Sequence, residues 1–573
     1  MAAQYETITL SVNDLDRIKL PKFQRGFVWT KKKKTEFVQT LHEGFPFGAL
    51  LVYPESEETG SDLLLLDGQQ RLSTIKEFKE KPLLFWKPLN KERYDQLHFA
   101  MNELLDEVDQ LQERDFDELI TKSGDEVADW ADRIDDREKR RTAREIVSRV
   151  KDETRQFVDL DSLQILAIKF IGQKDRIAEV FSNLNKGGIP LSKYEIYSAA
   201  WVHTEIPLLS ADQSALQEEI LGNVKKYYEK MEREVEFDLD GFSQDELSLK
   251  RVITLSELGI GLGMYVQKHL NALVPRTSGS AAEIGFGILG IASNVDNRRL
   301  DTLNESLPDI RKNLQVILEK TERICSNLQD IFSKLLKQFK AEKSDVYVTG
   351  LSTTFKTLSY FAALWDLDPA SEQYQTSLKN VRSYYVYDSL LKVWSSHGDQ
   401  RLLDFYPSSN RRNYLSPVDD QQFLEAFSQW LGDATPGIQF GKETKALVTI
   451  HANLGYLSSV VPYGESFELE HIIAKKKINE SDDLGSRKIL GSSIGNCMYL
   501  PHLDNNKKKE KTLYEVNTDG RYDDLIRRSQ YFSKETLAAI EIALAEKNYA
   551  EVNRYIQGRA RAVCEAMVAM LNN

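Results

Sequence analysis

The segment from Phe467 to Ala474 constrains the fold of this chain more than any other part of its sequence. Its first residues alternate weakly between apolar and polar side chains, as in a short strand, and the strand ends in an acid–histidine pair, Glu470 and His471. A lysine-rich excursion follows, and a second short apolar strand then carries Asn496. This order predicts a strand pair that brings an acid, a histidine and asparagines together.

Such a set of side chains suits the hydrolysis of a phosphodiester with one metal ion. A neutral imidazole can take a proton from water. A hard divalent cation needs oxygen ligands, which carboxylates and amide carbonyls supply. A Glu-His dipeptide alone is more often an ordinary surface pair. Here the Gly495-Asn496 turn and the polar cluster at Asn505 and Asn506 favour a catalytic site.

These residues resemble those of the HNH (His-Me finger, ββα-metal) nucleases. The resemblance implies that His471 is the general base and that Asn496 props the loop carrying it. It also implies that Glu470 and Asn505 bind Mg²⁺ or Mn²⁺. Asn505 stands 505 − 496 = 9 positions after Asn496, which suits the family. The family often has Asp before the histidine and Pro three residues after it, and this chain has neither. Asn506 competes with Asn505 for the ligand role.

A second polar cluster follows an apolar run near the start of the chain. Leu63 to Leu66 predict a buried strand, which leads directly into Asp67-Gly-Gln-Gln-Arg71 and a helix from Leu72 to Lys79. A helix N-terminus presents unpaired N–H groups, a glycine permits close approach, and an arginine can fork onto a phosphate. The pattern therefore suits an anion. A plain strand–turn–helix connection with solvated side chains is the alternative that it leaves open.

Three elements of the first two hundred residues stand in a characteristic order. They are Gln24-Arg25 followed by Trp29, the segment from Asp67 to Leu72, and Phe181 with Asn185 and a downstream leucine and acid. They resemble the ParB/sulfiredoxin-like NTPase domain of GmrSD-type restriction enzymes, which are type IV, modification-dependent systems. The resemblance implies that an NTP (ATP, GTP, UTP or CTP) binds here, with Asp67 and Arg71 taking part in its hydrolysis. The implied nucleotide-binding residues are Gln24, Arg25, Asp67, Gly68, Gln69, Gln70, Arg71 and Asn185.

Charge limits the partners that these sites can have. The 573 residues carry a net charge of −13, which argues against general nucleic-acid binding. Basic residues nevertheless gather around the C-terminal cluster, and we expect DNA phosphate contacts from Lys475, Lys476, Lys507 and Lys508. Arg559 to Arg561 could also touch phosphate, although helix packing is the simpler interpretation.

The compartment can be predicted from what the sequence lacks. It shows three widely separated cysteines, no secretory signal and no apolar run of the roughly 18 to 20 residues that a membrane span needs. We therefore expect a cytoplasmic protein with no membrane partner.

Length and patterning predict a multidomain, helix-rich α+β chain. Residues 1–205 are expected to form a ParB/sulfiredoxin-like α/β domain that binds NTP and senses DNA, with a helical insertion at about 90–160. An α-helical spacer or bundle is expected at 206–430 and an HNH-type nuclease domain with C-terminal helices at 431–573. Pro82 to Trp86 is predicted as a strand, and Asp132 to Asp152 as a solvated helix.

Together these features predict a nucleotide-stimulated, metal-dependent DNA endonuclease of anti-phage defence. The resemblance implies that its substrate is modified phage DNA, for example DNA with glucosylated hydroxymethylcytosine. A nucleotide-switched nucleic-acid-binding regulator, or a toxin-like nuclease indifferent to modification, remains an alternative, as does a scaffold with vestigial sites. One HNH site cuts one strand, so a double-strand break suggests two sites acting together or in succession, as in a homodimer.

Overall fold

The protein is described by a computed structural model over residues 4–19, 29, 31–54, 62–106, 108–172, 201, 204–235, 244–274, 278–338, 346–409, 413–457, 466–482, 488–502, 505 and 508–573. The backbone divides into two compact units. Unit 1 comprises Met1–His203 and Lys225–Lys250, and unit 2 comprises Thr204–Val224 and Arg251–Asn573. Helices dominate both units, so the predicted helix-rich α+β class is confirmed.

The described strands are short. They are β1 (Tyr5–Leu10), β2 (Ile18–Lys19), β3 (Leu50–Pro54), β4 (Leu63–Asp67), β5 (Ile165–Phe170), β6 (Ile206–Pro207), β7 (Val252–Ile253), β8 (Phe467–His471) and β9 (Cys497–Pro501). The first five form one mixed sheet in the order β1-β5-β3-β4-β2. Its β1–β5 and β3–β4 pairs are antiparallel, and its β3–β5 and β2–β4 pairs are parallel. The four leucines of β4 are buried, which confirms the predicted strand and fixes where Asp67 leaves the sheet.

The first described α-helices fall between residues 31 and 250. They are α1 (Lys31–His42), α2 (Gln69–Glu80), α3 (Pro82–Leu89), α4 (Lys91–Asn102), α5 (Glu113–Thr121), α6 (Gly124–Ala131), α7 (Arg137–Arg155), α8 (Ala215–Val235) and α9 (Gln244–Lys250). Residues of α8 fall in the ranges of both units. From α3 to α7 the helices share one apolar core, in which Tyr94 and Phe116 are fully buried.

Two sequence predictions in this region were wrong. Pro82 to Trp86 is not a strand but the first part of α3. A short apolar run does not distinguish a strand from a buried helical segment, and proline suits the first turn of a helix because its missing N–H has no intrahelical partner there. The charged segment after Asp132 is a helix, but α7 is not solvated on all sides. Ile146 and Val150 lie on a buried face of it.

The remaining helices belong to unit 2. They are α10 (Leu255–His269), α11 (Ser278–Ala292), α12 (Leu307–Leu336), α13 (Thr354–Leu364), α14 (Glu372–Leu390), α15 (Gly398–Leu402), α16 (Asp420–Gly432), α17 (Lys442–Gly455), α18 (Lys475–Ser481), α19 (Leu513–Val516), α20 (Asp523–Arg528), α21 (Lys534–Ala545) and α22 (Tyr549–Asn572). The predicted boundary near residue 430 lies inside this unit, and the three-part division stays a prediction. Among the helices that can be described, none has the length and apolarity of a membrane span.

A buried histidine makes the stability of unit 2 depend on pH. His451 of α17 is 2% exposed, and its Nε2 lies 2.5 Å from Oε1 of Gln530. Burial lowers the pKa of His451 to about 4, with a further contribution from the Arg559 guanidinium. The unfolded chain takes up a proton near pH 6.5, whereas the folded chain does so only near pH 4. The free energy of unfolding therefore falls as the pH decreases through this window, and is unaffected above it.

We expect this histidine to remove about 2.5 kcal/mol of stability between pH 7 and pH 4.5. Urea denaturation of the wild-type protein and of His451→Gln at the two pH values measures the effect. The variant should lose correspondingly less stability than the wild type over the same interval, because every other titrating group is common to both. Equal losses in the two proteins would contradict the assignment.

Candidate functional site

The predicted acid–histidine pair lies on a two-stranded antiparallel hairpin. In β8 and β9, Glu470 pairs with Met498 and His471 pairs with Cys497. Successive side chains of a strand point to opposite faces. Glu468 and Glu470 therefore share one face of β8, while Leu469 and His471 share the other. The hairpin thus separates an acidic side from an imidazole side.

The imidazole of His471 is held in one tautomer by the backbone. Its Nε2 lies 2.9 Å from the carbonyl oxygen of Ile438, and a carbonyl can only accept, so Nε2 donates its proton there. The lone pair is left on Nδ1. The ring of Phe440 stacks on the imidazole with centroids 4.1 Å apart. Burial lowers the pKa of His471 to about 4, so the ring is neutral at pH 7, the form that a general base requires.

Asn496 directly precedes β9 and is hydrogen-bonded to the backbone that follows β8. Its side chain is fully buried, its Oδ1 accepts a hydrogen bond of 2.8 Å from the N–H of Ile473, and its Nδ2 donates to the carbonyl of Gly491 at 3.0 Å. Its own carbonyl accepts from the N–H of Ile472 at 2.9 Å. These bonds fix the two residues that follow His471, and so the direction in which the chain leaves the histidine.

The acidic side of the hairpin is a hydrogen-bonded network. Nδ2 of Asn505 donates to Glu468 at 3.0 Å, and Nδ1 of His502 lies 2.8 Å from the other oxygen of Glu468. The ammonium of Lys508 lies 3.5 Å from Glu470 and 3.3 Å from the carbonyl of His471. Burial raises the pKa of Glu470, while Lys508 and the Asn505 amide lower it.

The carboxylates of Glu468 and Glu470 meet the Asn505 amide at the acidic side, where the amide donates its N–H to carboxylate oxygen. Carboxylate oxygens are ligands that Mg²⁺ and Mn²⁺ prefer, whereas Asn505 would have to turn its amide oxygen toward the ion to act as a ligand. Across the described ranges, no group of three or more His, Cys, Asp or Glu side chains is placed to hold a metal. A metal bound at Glu470 could also take water and phosphate oxygens as ligands. It would also take over the role of counter-charge that Lys508 fills.

The four predicted DNA-contact lysines fall in different surroundings. Lys475 is exposed, whereas Lys476 pairs with Glu510 at 2.9 Å. Lys508 is only 1% exposed, and its ammonium binds Glu470. Its side chain points into the site and not into solvent, so its position differs from that of the predicted phosphate contact. Lys507 lies outside the described residues, as does Asn506.

Several residues of this site were missed by the sequence analysis. Glu468 could have been found, because the alternation along β8 places it on the same face as Glu470. His502 follows β9 and has no motif of its own. Ile438 and Phe440 come from a segment more than thirty residues before His471, and no local pattern connects them to it.

The last helix supports the turn that holds Asn496. A Cβ atom on Gly495 would lie 1.9 Å from the carbonyl oxygen of Ile556 in α22, so only glycine fits there. The guanidinium of Arg559, 6% exposed, donates to four backbone carbonyls at 2.7 to 3.1 Å. They belong to Ile494, Cys497, Ser529 and Gln530. Arg559 is thus a structural residue and not a phosphate contact on the surface.

The turn after β4 is built as the sequence predicts for a tight strand–helix connection. Gly68 precedes α2 with φ of 101°, a left-handed conformation that favours glycine, and an added Cβ would lie 2.4 Å from Leu50. Arg71 donates to Asp67 at 3.0 Å and to the carbonyl of Phe47 at 3.2 Å. The predicted pair therefore lies together at the C-terminal end of β4.

The two glutamines of this turn differ in their surroundings. Gln70 accepts a hydrogen bond of 2.8 Å from the N–H of Trp29. Gln69 is 6% exposed, and its Nε2 has no hydrogen-bond partner in the part of the chain that can be described. A buried donor of this kind is costly unless a ligand or water satisfies it. Gln24, Arg25 and Asn185, which were predicted to bind the same nucleotide, lie outside the described residues.

Comparison with known proteins bears on the N-terminal part of the chain. Residues 8–202 match the model of the GmrSD restriction endonuclease N-terminal domain. This match confirms the predicted resemblance of the first two hundred residues to GmrSD-type restriction enzymes, while NTP binding and hydrolysis stay a prediction. The resemblance of the C-terminal residues to HNH nucleases lies outside the matched range and stays a prediction. No curated protein matches the chain.

Proposed function

We propose that the protein is a metal-dependent DNA endonuclease of modification-dependent, type IV restriction, with an HNH-type site in unit 2 and an NTP site after β4. The state of His471 carries the proposal. Its Nε2 proton is committed to the Ile438 carbonyl, its Nδ1 is free to accept a proton, and an oxygen-rich site lies at the neighbouring Glu470. The likeness of residues 8–202 to a restriction endonuclease domain supports DNA as the substrate.

In this proposal His471 activates the attacking water. Nδ1 takes a proton from a water in line with the scissile phosphate, and the hydroxide attacks phosphorus as the bond to the 3′ oxygen breaks. The leaving 3′ oxygen takes a proton from a solvent water. The products are a 3′-hydroxyl and a 5′-phosphate. Phe440 and Ile438 keep the ring in the orientation and tautomer that this step needs. Asn496 keeps the following loop in place.

Glu470, which directly precedes His471 at the end of β8, would hold Mg²⁺ or Mn²⁺ together with Asn505. The bound cation would offset the negative charge that develops on the leaving oxygen. Glu468 holds the Asn505 amide in position, and His502 holds Glu468. The acidic face therefore contains a second layer of residues that orients the proposed ligands.

The N-terminal part would bind an NTP and regulate cutting. Asp67 ends β4, and Gln69 and Arg71 stand in the first turn of α2, where backbone N–H groups suit a phosphate. Among the described residues, Nε2 of Gln69 has no hydrogen-bond partner. Gln24, Arg25 and Asn185 would complete this site. The proposed substrate is modified phage DNA, such as DNA with glucosylated hydroxymethylcytosine, and the proposed place of action is the cytoplasm. Two sites, as in a homodimer, would produce a double-strand break.

The proposal is tested by incubating the purified protein with matched phage DNAs that carry or lack the modification. Each reaction contains Mg²⁺, Mn²⁺ or a chelator, with or without each NTP. Asp67→Ala and His471→Ala proteins are run in parallel. We expect cutting of modified DNA only, with a metal requirement, a change on adding an NTP, and no cutting by His471→Ala. NTP hydrolysis should be lost in Asp67→Ala.

Other outcomes identify the alternative functions. Metal-dependent nicking that ignores modification and nucleotide would favour a toxin-like nuclease. Nucleotide-dependent DNA binding without cutting would favour a regulator. Cutting that survives in His471→Ala would place the chemistry elsewhere in the chain and overturn the proposed site.

A further inference from the structure

A basic hollow lies on the imidazole side of the hairpin. It encloses about 610 Å³, within the range of about 300–1,000 Å³ that is usual for ligand-binding pockets. Phe440 forms part of its wall, and the same ring stacks on His471. Leu469, which shares a strand face with His471, forms another part. The Phe440 ring therefore lies between the hollow and His471, the proposed general base.

Two lysines give this hollow its charge. Lys442 and Lys445 both line it, three positions apart in the first turn of α17, and both are exposed. Within the described residues, neither ammonium has a hydrogen bond or an ion pair, and no acidic side chain lines the hollow. Cations gain nothing from the dipole at the start of a helix, so these lysines do not stabilise α17. Lys476, by contrast, is neutralised by Glu510.

Aromatic rings accompany the two cations. Tyr347 and Tyr499 join Phe440 in the wall of the hollow. The hydroxyl of Tyr499 is bound to Thr449 at 3.0 Å, which fixes the ring in place. Tyr499 is a buried part of the wall at 3% exposure, whereas Tyr347 and Phe440 are partly exposed. The two partly exposed rings suit a nucleic acid strand, because bases can stack on them while the ammonium groups contact the phosphates.

We infer that this hollow binds the DNA strand next to the scissile phosphate, with Lys442 and Lys445 on its backbone. The inference rests on the proposed function and assigns a substrate-contact surface that the sequence analysis did not find. Lysines of the C-terminal cluster were expected to contact phosphate, whereas the structure offers α17 for this purpose. A strand seated here lies beside His471, with the Phe440 ring between them.

DNA binding by a cleavage-deficient protein tests the inference. The full chain with His471→Ala is titrated with a fluorescent single-stranded DNA at several salt concentrations, with and without Lys442→Ala/Lys445→Ala. Lys312→Ala/Lys547→Ala removes two exposed lysines of unit 2 that do not line the hollow and is the matched control. Each lost phosphate contact lowers the slope of log K against log salt by about 0.7. We expect a decrease of about 1.4 and at least tenfold weaker binding at low salt.

The control should bind as the parent does. An unchanged slope and affinity in Lys442→Ala/Lys445→Ala would overturn the inference while leaving the proposed cleavage chemistry intact. A parent that binds no DNA would overturn it as well. If Lys442→Ala/Lys445→Ala weakened binding to an RNA of the same sequence but not to the DNA, the hollow would bind RNA. That result would overturn the assignment to DNA. Circular dichroism checks that the exposed substitutions leave the fold unchanged.

Discussion

Replacing His471 by alanine is expected to reduce DNA cleavage by about 10²–10⁴-fold, the usual contribution of a general base. The imidazole holds its Nε2 proton on the Ile438 carbonyl and presents Nδ1 as the acceptor, and alanine supplies neither. The free energy of unfolding should change little in comparison, because the ring is half-buried and makes one hydrogen bond. Single-turnover cleavage with metal in excess measures the chemical step, and thermal unfolding of the same sample reports on folding.

The matched control for this substitution is His397→Asn. His397 is an exposed histidine of the same unit with φ of 53°, and asparagine tolerates this left-handed conformation. Its cleavage rate should equal that of the wild-type protein. If His397→Asn and His471→Ala lost activity to the same degree, the loss would reflect histidine removal in general and not a base at this position.

Replacing Arg559 by methionine is expected to lower the free energy of unfolding by about 4 kcal/mol, as for other broken buried networks. Methionine fills a similar volume but leaves the four carbonyls of Ile494, Cys497, Ser529 and Gln530 without their donor. Arg559→Lys should restore only part of this loss, since one ammonium does not reproduce the planar fork of a guanidinium. Urea denaturation with far-ultraviolet circular dichroism measures the change.

Arg561→Met is the control for the buried arginine. Arg561 lies two residues further along α22 and is exposed, so its replacement should change stability by no more than about 0.5 kcal/mol. Arg559 holds the turn before β9 in place. The rate of DNA cleavage by Arg559→Met should therefore also fall, to the degree that this turn becomes disordered. Wild-type stability in Arg559→Met would show that the four carbonyls find other donors.

Local patterns were sufficient where the decisive contacts are close in sequence. The leucines of β4 and the glycine after Asp67 predicted a buried strand and a tight connection, and both are present. Alternation along β8 likewise predicted its strand. Pro82 to Trp86 failed because five apolar residues fit either a strand or a helix, and packing in the core of α3 to α7 decides between them.

Contacts between distant segments could not be read from the sequence. In the run from Lys507 to Lys509 the residues look equivalent in sequence, yet Lys508 is buried against Glu470. Arg559 and Arg561 are nearly adjacent, but only one of them meets the turn before β9. The tautomer of His471 depends on a carbonyl 33 residues away. These features follow from tertiary packing, which one sequence does not display.

The dependence of the hairpin on α22 also determines when, during synthesis, the proposed nuclease site can form. Asn496 precedes Arg559 by more than sixty residues, and translation proceeds from the N-terminus, so a ribosome finishes both β8 and β9 well before it makes α22. Until then the turn at Gly495 lacks the helix that packs on it and the guanidinium that binds its carbonyls. Nascent chains and prematurely terminated products should therefore lack the proposed nuclease site, and under the proposed function this delay would spare the DNA of the producing cell.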